Sequence, residues 1–199
     1  MNNSFNFIYE SARKNILPSL MKNSNSTSPI KKWLGVKNLP QSASIKFGRL
    51  FEELLNDCIE KSDEFISITS SVKKTYITPT SELTHKAKGN KDIDILFKKE
   101  NVVYYRECKC NLFLDSEKSK TTASKVLQVK ERLQKLYPDC TIDFAVLSMQ
   151  WDGKKDYYCG VPLEHVGKFF NRLKFDITKE QYLNVGLLLG KELSENNYE

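Results

Sequence analysis

Two carboxylates and an amine are spaced along residues 92–109 in a way that suits a hard divalent cation and a phosphate. Asp92-Ile93-Asp94 leads into the apolar run Ile95-Leu96-Phe97. After the charged stretch Lys98-Lys99-Glu100-Asn101, a second run, Val102-Val103-Tyr104-Tyr105, leads into Arg106-Glu107-Cys108-Lys109. Polar turn residues between two segments rich in Val, Ile, Phe and Tyr predict a β-hairpin. Side chains alternate along a strand, so Glu107, Lys109 and Asn111 share one face while Cys108 and Cys110 take the other. The hairpin can carry Asp94 across to the Glu107 face. That much charge at the edge of an apolar sheet is costly to bury unless it binds something. Mg²⁺ takes oxygen ligands, with one or two carboxylates completed by waters and a substrate phosphate. Asp94 and Glu107 supply carboxylates, and the main-chain carbonyl of Cys108, which lies between the functional side chains, can add a third oxygen. Lys109 is suited to contact the phosphate, orient an attacking water and stabilise negative charge developing at phosphorus.

A Glu-x-Lys triplet alone is a weak signal. Its rival, Asp152-Gly153-Lys154, lies in Trp151–Asp156, which reads as a hairpin turn rather than a strand end. Context singles out Glu107-x-Lys109: an apolar strand before it, and an aspartate at a strand start upstream. In that setting Asp94, Glu107 and Lys109 resemble the PD-(D/E)xK nuclease core shared by many type II restriction endonucleases, Holliday-junction resolvases and repair nucleases. The stretch 110–118, with Lys120-Thr121-Thr122, is similar to the region after the motif in some restriction enzymes. Neither aspartate follows a proline, since Lys91 precedes Asp92 and Ile93 precedes Asp94. Asp92 therefore stands as an alternative to Asp94, which is preferred because the apolar run begins immediately after it.

The resemblance covers residues 44–150 and implies an α/β fold. Its restriction-endonuclease-like core is a mixed central β-sheet flanked by helices, in the order αβββαβ. It further implies that Glu52, from the helix before the strands, reaches the metal site directly or through water. The leading expectation is a type II restriction endonuclease that hydrolyses a specific double-stranded DNA site with Mg²⁺, or Mn²⁺ in its place, leaving 5′-phosphate and 3′-hydroxyl ends. A homodimer or a partner nuclease subunit would supply the second active site, and a companion DNA methyltransferase is implied. The alternatives are a structure-selective resolvase or repair nuclease on the same core, and a DNA-binding protein with a nuclease-like fold that does not cleave.

The 199 residues suffice for one α/β core with small additions. Residues 1–43 read as an N-terminal helical arm and linker, 44–150 as the core, and 151–199 as a C-terminal hairpin and helices packed on it. No run approaches a membrane span, and the polar start is no secretory signal. Five scattered cysteines suggest reduced thiols in a cytosol, which predicts a cytoplasmic protein. The net charge of +6 is concentrated over residues 84–135, around the hairpin and the helix after it, while the rest of the chain nearly balances. A polyanion lying there would meet that excess.

Apolar periodicity predicts helices over 5–22 and 44–61, the latter with Phe47, Leu50, Phe51, Leu54 and Cys58 on one stripe. Asn23–Ser28 reads as a linker. Strands are expected at 65–68, 72–77, the two arms of the hairpin and 142–147, with a basic helix over 116–136 capped by Asp115 or Ser116. A hairpin at 151–161 and helices at 163–173 and 178–194 complete the chain. Cys108 and Cys110 read as small core residues, not thiolate ligands, and Gln128 as helix surface. His85 and His165 are too few and too isolated for histidine-based chemistry.

Overall fold

The computed structural model describes residues 3–20, 29–36, 41–112 and 116–195. The expected linker at 23–28 and the cap position Asp115 lie outside these residues. The chain is mixed α/β, with a mixed central sheet flanked by helices. Helices α1 (Asn3–Leu20), α2 (Pro29–Leu34) and α3 (Gln41–Lys61) come first. Six short strands follow: β1 (Ile66–Ser67), β2 (Thr75–Ile77), β3 (Leu83–Thr84), β4 (Lys91–Ile93), β5 (Ile95–Lys99) and β6 (Val102–Lys109). Then come α4 (Ser116–Leu136), β7 (Thr141–Ser148), β8 (Tyr157–Tyr158), β9 (Val161–His165), α5 (Val166–Arg172) and α6 (Lys179–Glu195).

The central sheet runs β1-β5-β6-β7-β9-β8. β6 is antiparallel to β5 and parallel to β7, and β7 is parallel to β9. Both faces are covered, so β5 and β6 read as nearly continuous apolar runs. On one face Cys108, Phe97 and Leu147 pack with Phe47, Phe51, Leu54 and Cys58 of α3 and with α1, α5 and α6. The expected α3 stripe is therefore the stripe that is buried. On the other face Val103, Tyr105 and Val146 pack against Ala123, Val126, Val129 and Leu133 of α4. Among the described residues, no helix is long and apolar enough to cross a membrane.

Three features differ from the sequence expectation. First, β2 and β4, with β3, form a separate three-stranded sheet in the order β3-β2-β4 instead of joining the central one. Arg132 Nη1 on α4 donates to the Ile77 carbonyl at 3.1 Å and ties this small sheet to the helix. Second, residues 161–165 are a strand, not the start of a helix. β9 lies beside β7, so the segment read as a C-terminal addition contributes to the central sheet itself. Third, the turn of the β8–β9 hairpin is Cys159-Gly160, not Asp152-Gly153. Both turn residues have positive φ, 49° and 82°, as a two-residue hairpin loop with the right twist requires. Residues 151–156 instead form a loop whose Asp152 pairs with Lys179 on α6 at 2.8 Å.

Candidate active site

A single residue, Asp94, separates β4 from β5. β4 belongs to the small sheet and β5 to the central one, so Asp94 occupies the corner where the chain passes between them. The corner is braced from α3. Asn56 Nδ2 donates to the Asp94 carbonyl at 3.2 Å, and Asn56 Oδ1 accepts the Thr69 hydroxyl at 2.6 Å. In the β5–β6 ladder Ile95 faces Arg106, so one step further along Asp94 meets Glu107. The Cys108 N–H donates to Asp94 Oδ2 at 2.9 Å. In an extended strand a residue's N–H and C=O point to the same edge, which turns the Cys108 carbonyl toward Asp94 as well.

Glu107 is 2% exposed. An ionised carboxylate so deeply placed needs compensation, and it has three donors. Its Oε1 accepts from Lys109 Nζ at 2.8 Å, and its Oε2 accepts from the Tyr105 hydroxyl at 3.1 Å. Oε2 also lies 2.7 Å from Lys125 Nζ, which reaches Asp92 Oδ1 at 2.9 Å on its other side. Glu52 extends from α3 toward the same place, its carboxylate 3.9 Å from Lys74. Glu52, Asp92, Asp94, Glu107, Lys109 and Lys125 all line one open cleft of about 820 Å³, whose rim carries Lys91 and Lys120.

Electrostatics in the cleft favour positive charge. Burial, with the Glu107 and Glu52 carboxylates adding to it, holds the Asp94 carboxyl well above the usual aspartate range. Burial also pushes Glu52 up, opposed by Lys74 and reinforced by Glu107. For Lys109 burial works downward, but the Glu107 and Asp94 carboxylates outweigh it and the ammonium is held above its ordinary value. Lys125 is raised in the same way, by Asp94, Glu107 and Asp92 against burial. For Asp92 burial works upward, and the Lys125 ammonium outweighs it, leaving that carboxyl below its usual range.

The donor set fits a hard cation. It offers carboxylate oxygens from Asp94 and Glu107 and a main-chain carbonyl, with water and phosphate able to complete an octahedron. Among the described residues, no group of three or more His, Cys, Asp or Glu side chains is arranged to hold a metal ion by itself, so main-chain, water and phosphate oxygens would have to complete the shell. Cys108 and Cys110 point away from the cleft into the α3 side of the core. Burial raises both thiols, Cys110 to about 12, so neither supplies a thiolate.

The structure thus places Asp94, Glu107, Lys109 and Glu52 in one cleft with the alternative Asp92. It also brings in Lys125, one of the basic-helix lysines that the sequence offers as phosphate contacts, and it sets behind the cleft two buried residues to which the sequence assigns no role, Tyr105 and Asn56. Lys125 had a legible signal, because it precedes Val129 by four residues and so borders the buried stripe of α4. Gln128, read as surface, lines the cleft while bonding to Ser124 on its own helix. Comparison of the chain with family models, with curated proteins and with solved structures gives no significant match.

The crowded carboxylates make one stability prediction. A carboxyl whose folded pKa is raised contributes stability that is full below the unfolded value and is lost as pH rises through the folded one. At neutral pH the cation-free fold therefore carries a cost at Asp94, which Asp94→Asn removes while keeping an acceptor for the Cys108 N–H. The variant is expected to gain about 1 kcal/mol, or about 2–4 °C in melting temperature, in EDTA at pH 7.5. The gain should vanish at acid pH, where wild-type Asp94 is protonated. A lower melting temperature for the variant at pH 7.5 would show that Asp94 is compensated in the fold.

Proposed function

We propose that this chain is a Mg²⁺-dependent DNA endonuclease of the type II restriction kind, built on a PD-(D/E)xK core formed by α3, β1, β5, β6, α4 and β7. The observation that carries the reading is the meeting of Asp94, Glu107 and Lys109, from a sheet corner and a strand end, in a cleft rimmed with lysines. Position within the fold supports it too. The site lies at the carboxyl end of β6, where parallel strands leave a crevice between strand ends and the connecting helix.

Asp94, Glu107 and the Cys108 carbonyl would hold the cation, and when bound it lowers the pKa of a coordinated water and stabilises the leaving oxygen. Lys109 Nζ, fixed by Glu107 at 2.8 Å, is placed to orient the attacking water and to take up charge developing on the phosphate. Glu52 adds a carboxylate on the α3 wall of the cleft. The lysines of α4 and β4 bind the backbone of the strand being cut. Water attacks phosphorus and the 3′-oxygen leaves, giving 5′-phosphate and 3′-hydroxyl ends. One chain carries one such site, so cutting both strands requires a homodimer, a partner nuclease subunit or sequential nicks. A palindromic target would match a two-fold dimer. A restriction role also requires a DNA methyltransferase that protects the host's own sites.

The test is incubation of unmethylated phage DNA with the protein in Mg²⁺, in Mn²⁺ and in EDTA. Discrete fragments with 5′-phosphate ends are expected with either cation and none with EDTA. Cleavage that persists in EDTA would overturn the metal-dependent reading. Intact linear DNA together with cleaved four-way junctions would replace it with a structure-selective nuclease.

A further inference from the structure

We propose that Lys125 is a phosphate-responsive gate on the cation site: without DNA its ammonium fills the coordination space of Glu107, and a backbone phosphate draws it away so that cation and DNA bind cooperatively. The inference rests on the nuclease reading and adds to it a regulatory residue outside the Asp-Glu-Lys set.

Saturation of Glu107 Oε2 is the first ground; Oε1, which accepts from Lys109 Nζ at 2.8 Å, keeps one lone pair. A carboxylate oxygen has two lone pairs, and Glu107 Oε2 already accepts from the Tyr105 hydroxyl at 3.1 Å and from Lys125 Nζ at 2.7 Å. A cation that coordinates this oxygen must displace one of them. Tyr105 is fully buried in the core beneath the strand and has little freedom to move. Lys125 ends a long flexible side chain, 17% exposed, at the wall of the cleft. Lys125 is the donor that can leave.

Its departure is prepared on both sides. Asp92 Oδ1, 2.9 Å from the ammonium and belonging to a side chain 43% exposed, lies on the solvent side of Glu107. Lys125 can therefore release Glu107 without losing every carboxylate partner. The space beyond is the cleft itself, lined by Lys91, Lys120, Thr121, Thr122 and Ser124, whose two ammonium groups suit phosphate oxygens. A phosphodiester there offers Lys125 a new anionic partner. Once the ammonium has moved to it, Oε2 is free and the charge opposing a dication has moved outward. The ammonium thus stands in for the cation in the resting protein, satisfying the buried carboxylate until DNA arrives. Idle cation binding is suppressed, and the site assembles on its substrate. Coupling of this kind is reciprocal, so the cation must tighten DNA binding by the same factor.

The test is calorimetric titration of Mn²⁺ into the full chain, alone and with a short mixed-sequence duplex whose phosphorothioate linkages resist hydrolysis while keeping the backbone charge. Wild-type affinity for Mn²⁺ is expected to rise about tenfold with the duplex, within the ordinary range of such couplings. Lys125→Met keeps the apolar stem, and Glu107 retains Lys109 and Tyr105. It should bind Mn²⁺ about tenfold more tightly than wild type without DNA, and the duplex should add less than about a factor of two. Asp92→Asn, a second variant, leaves Lys125 wholly on Glu107; it should weaken Mn²⁺ binding without DNA and keep the enhancement by the duplex. The same enhancement in wild type and Lys125→Met overturns the gate. If Asp94→Asn still abolishes Mn²⁺ binding in that case, the nuclease reading stands without it. Mn²⁺ bound equally by Asp94→Asn and wild type, or by no form of the protein, overturns the site and the gate together.

Discussion

On the proposed endonuclease reading, Lys109→Ala is expected to slow DNA cleavage by a factor of about 10²–10³, the cost of removing a single preorganised donor from a developing negative charge. DNA affinity should change little, because the remaining lysines of the cleft supply most of the phosphate contacts. The reason for so large an effect is geometric. The ammonium is held by a strand-end carboxylate two residues away on the same face, and it is 26% exposed, so its position is set before substrate arrives. Truncation leaves Glu107 paired with Lys125 and Tyr105. The fold should therefore survive, and the loss should appear in the rate of the bound complex. Lys109→Arg keeps the charge but not the compact head, and rescue should be partial at most. Single-turnover cleavage under saturating protein, with gel-shift affinities alongside, separates the two quantities. Cleavage by Lys109→Ala at the wild-type rate would remove this lysine from the chemistry.

The second large effect concerns a buried charge network behind the strand that carries Glu107 and Lys109. Arg106, next to Glu107 on β6, is 1% exposed and points to the opposite face of the sheet. Its guanidinium bonds to Glu164 on β9 and pairs with Asp143 Oδ1 on β7 at 2.8 Å. It also donates to the carbonyls of Tyr105 and Asp143, each at 2.9 Å. Glu164, 4% exposed, is held from its other oxygen by Arg172 Nη2 at 2.9 Å. The network spans three adjacent strands and fixes the lateral position of the strand that carries Glu107 and Lys109.

Removing one member leaves uncompensated charge in the core. Glu164→Ala is expected to cost about 3–5 kcal/mol, which in a chain of this length lowers the melting temperature by about 6–20 °C. Replacing the pair with apolar residues of similar size, as in Arg106→Met with Glu164→Leu, should restore much of the loss, because the desolvation cost disappears with both charges. Chemical denaturation of the two single variants and the double variant measures the coupling directly. A loss below about 1 kcal/mol for Glu164→Ala would mean that water reaches the network.

How far the site could be read in advance depends on the range of the interaction behind each part. Strand alternation alone assigns Glu107, Lys109 and Cys108 to their faces, and the packing agrees: Tyr105, on the Glu107 face, packs toward α4, and Cys108 toward α3. The α3 stripe and the bounds of α4 followed from helical periodicity in the same way. These are properties of backbone geometry over a few residues, and tertiary context had only to accept them.

The small sheet, by contrast, is not legible in the sequence. Strands of two or three residues carry too little periodicity to announce a partner, and pairing Tyr76 with both Thr84 and Asp92 is a long-range choice. At 151–161 the sequence points to Asp152-Gly153 as the turn, and nothing local marks Cys159-Gly160 as the turn that closes the hairpin instead. The one that closes the hairpin is the one whose strand finds an open edge beside β7.

By itself, then, the sequence determined the hairpin, its polar and apolar faces, the flanking helices and the basic character of their surroundings. Each of these is written in spacing along one segment. Only the tertiary structure decided which charges from elsewhere in the chain join those of the hairpin. Lys125 comes to Glu107 because α4 must lay its apolar stripe on the sheet. Glu164 reaches Arg106 across 58 residues because β9 docks on β7. Packing of the whole core sets these encounters, and no window of sequence contains both partners.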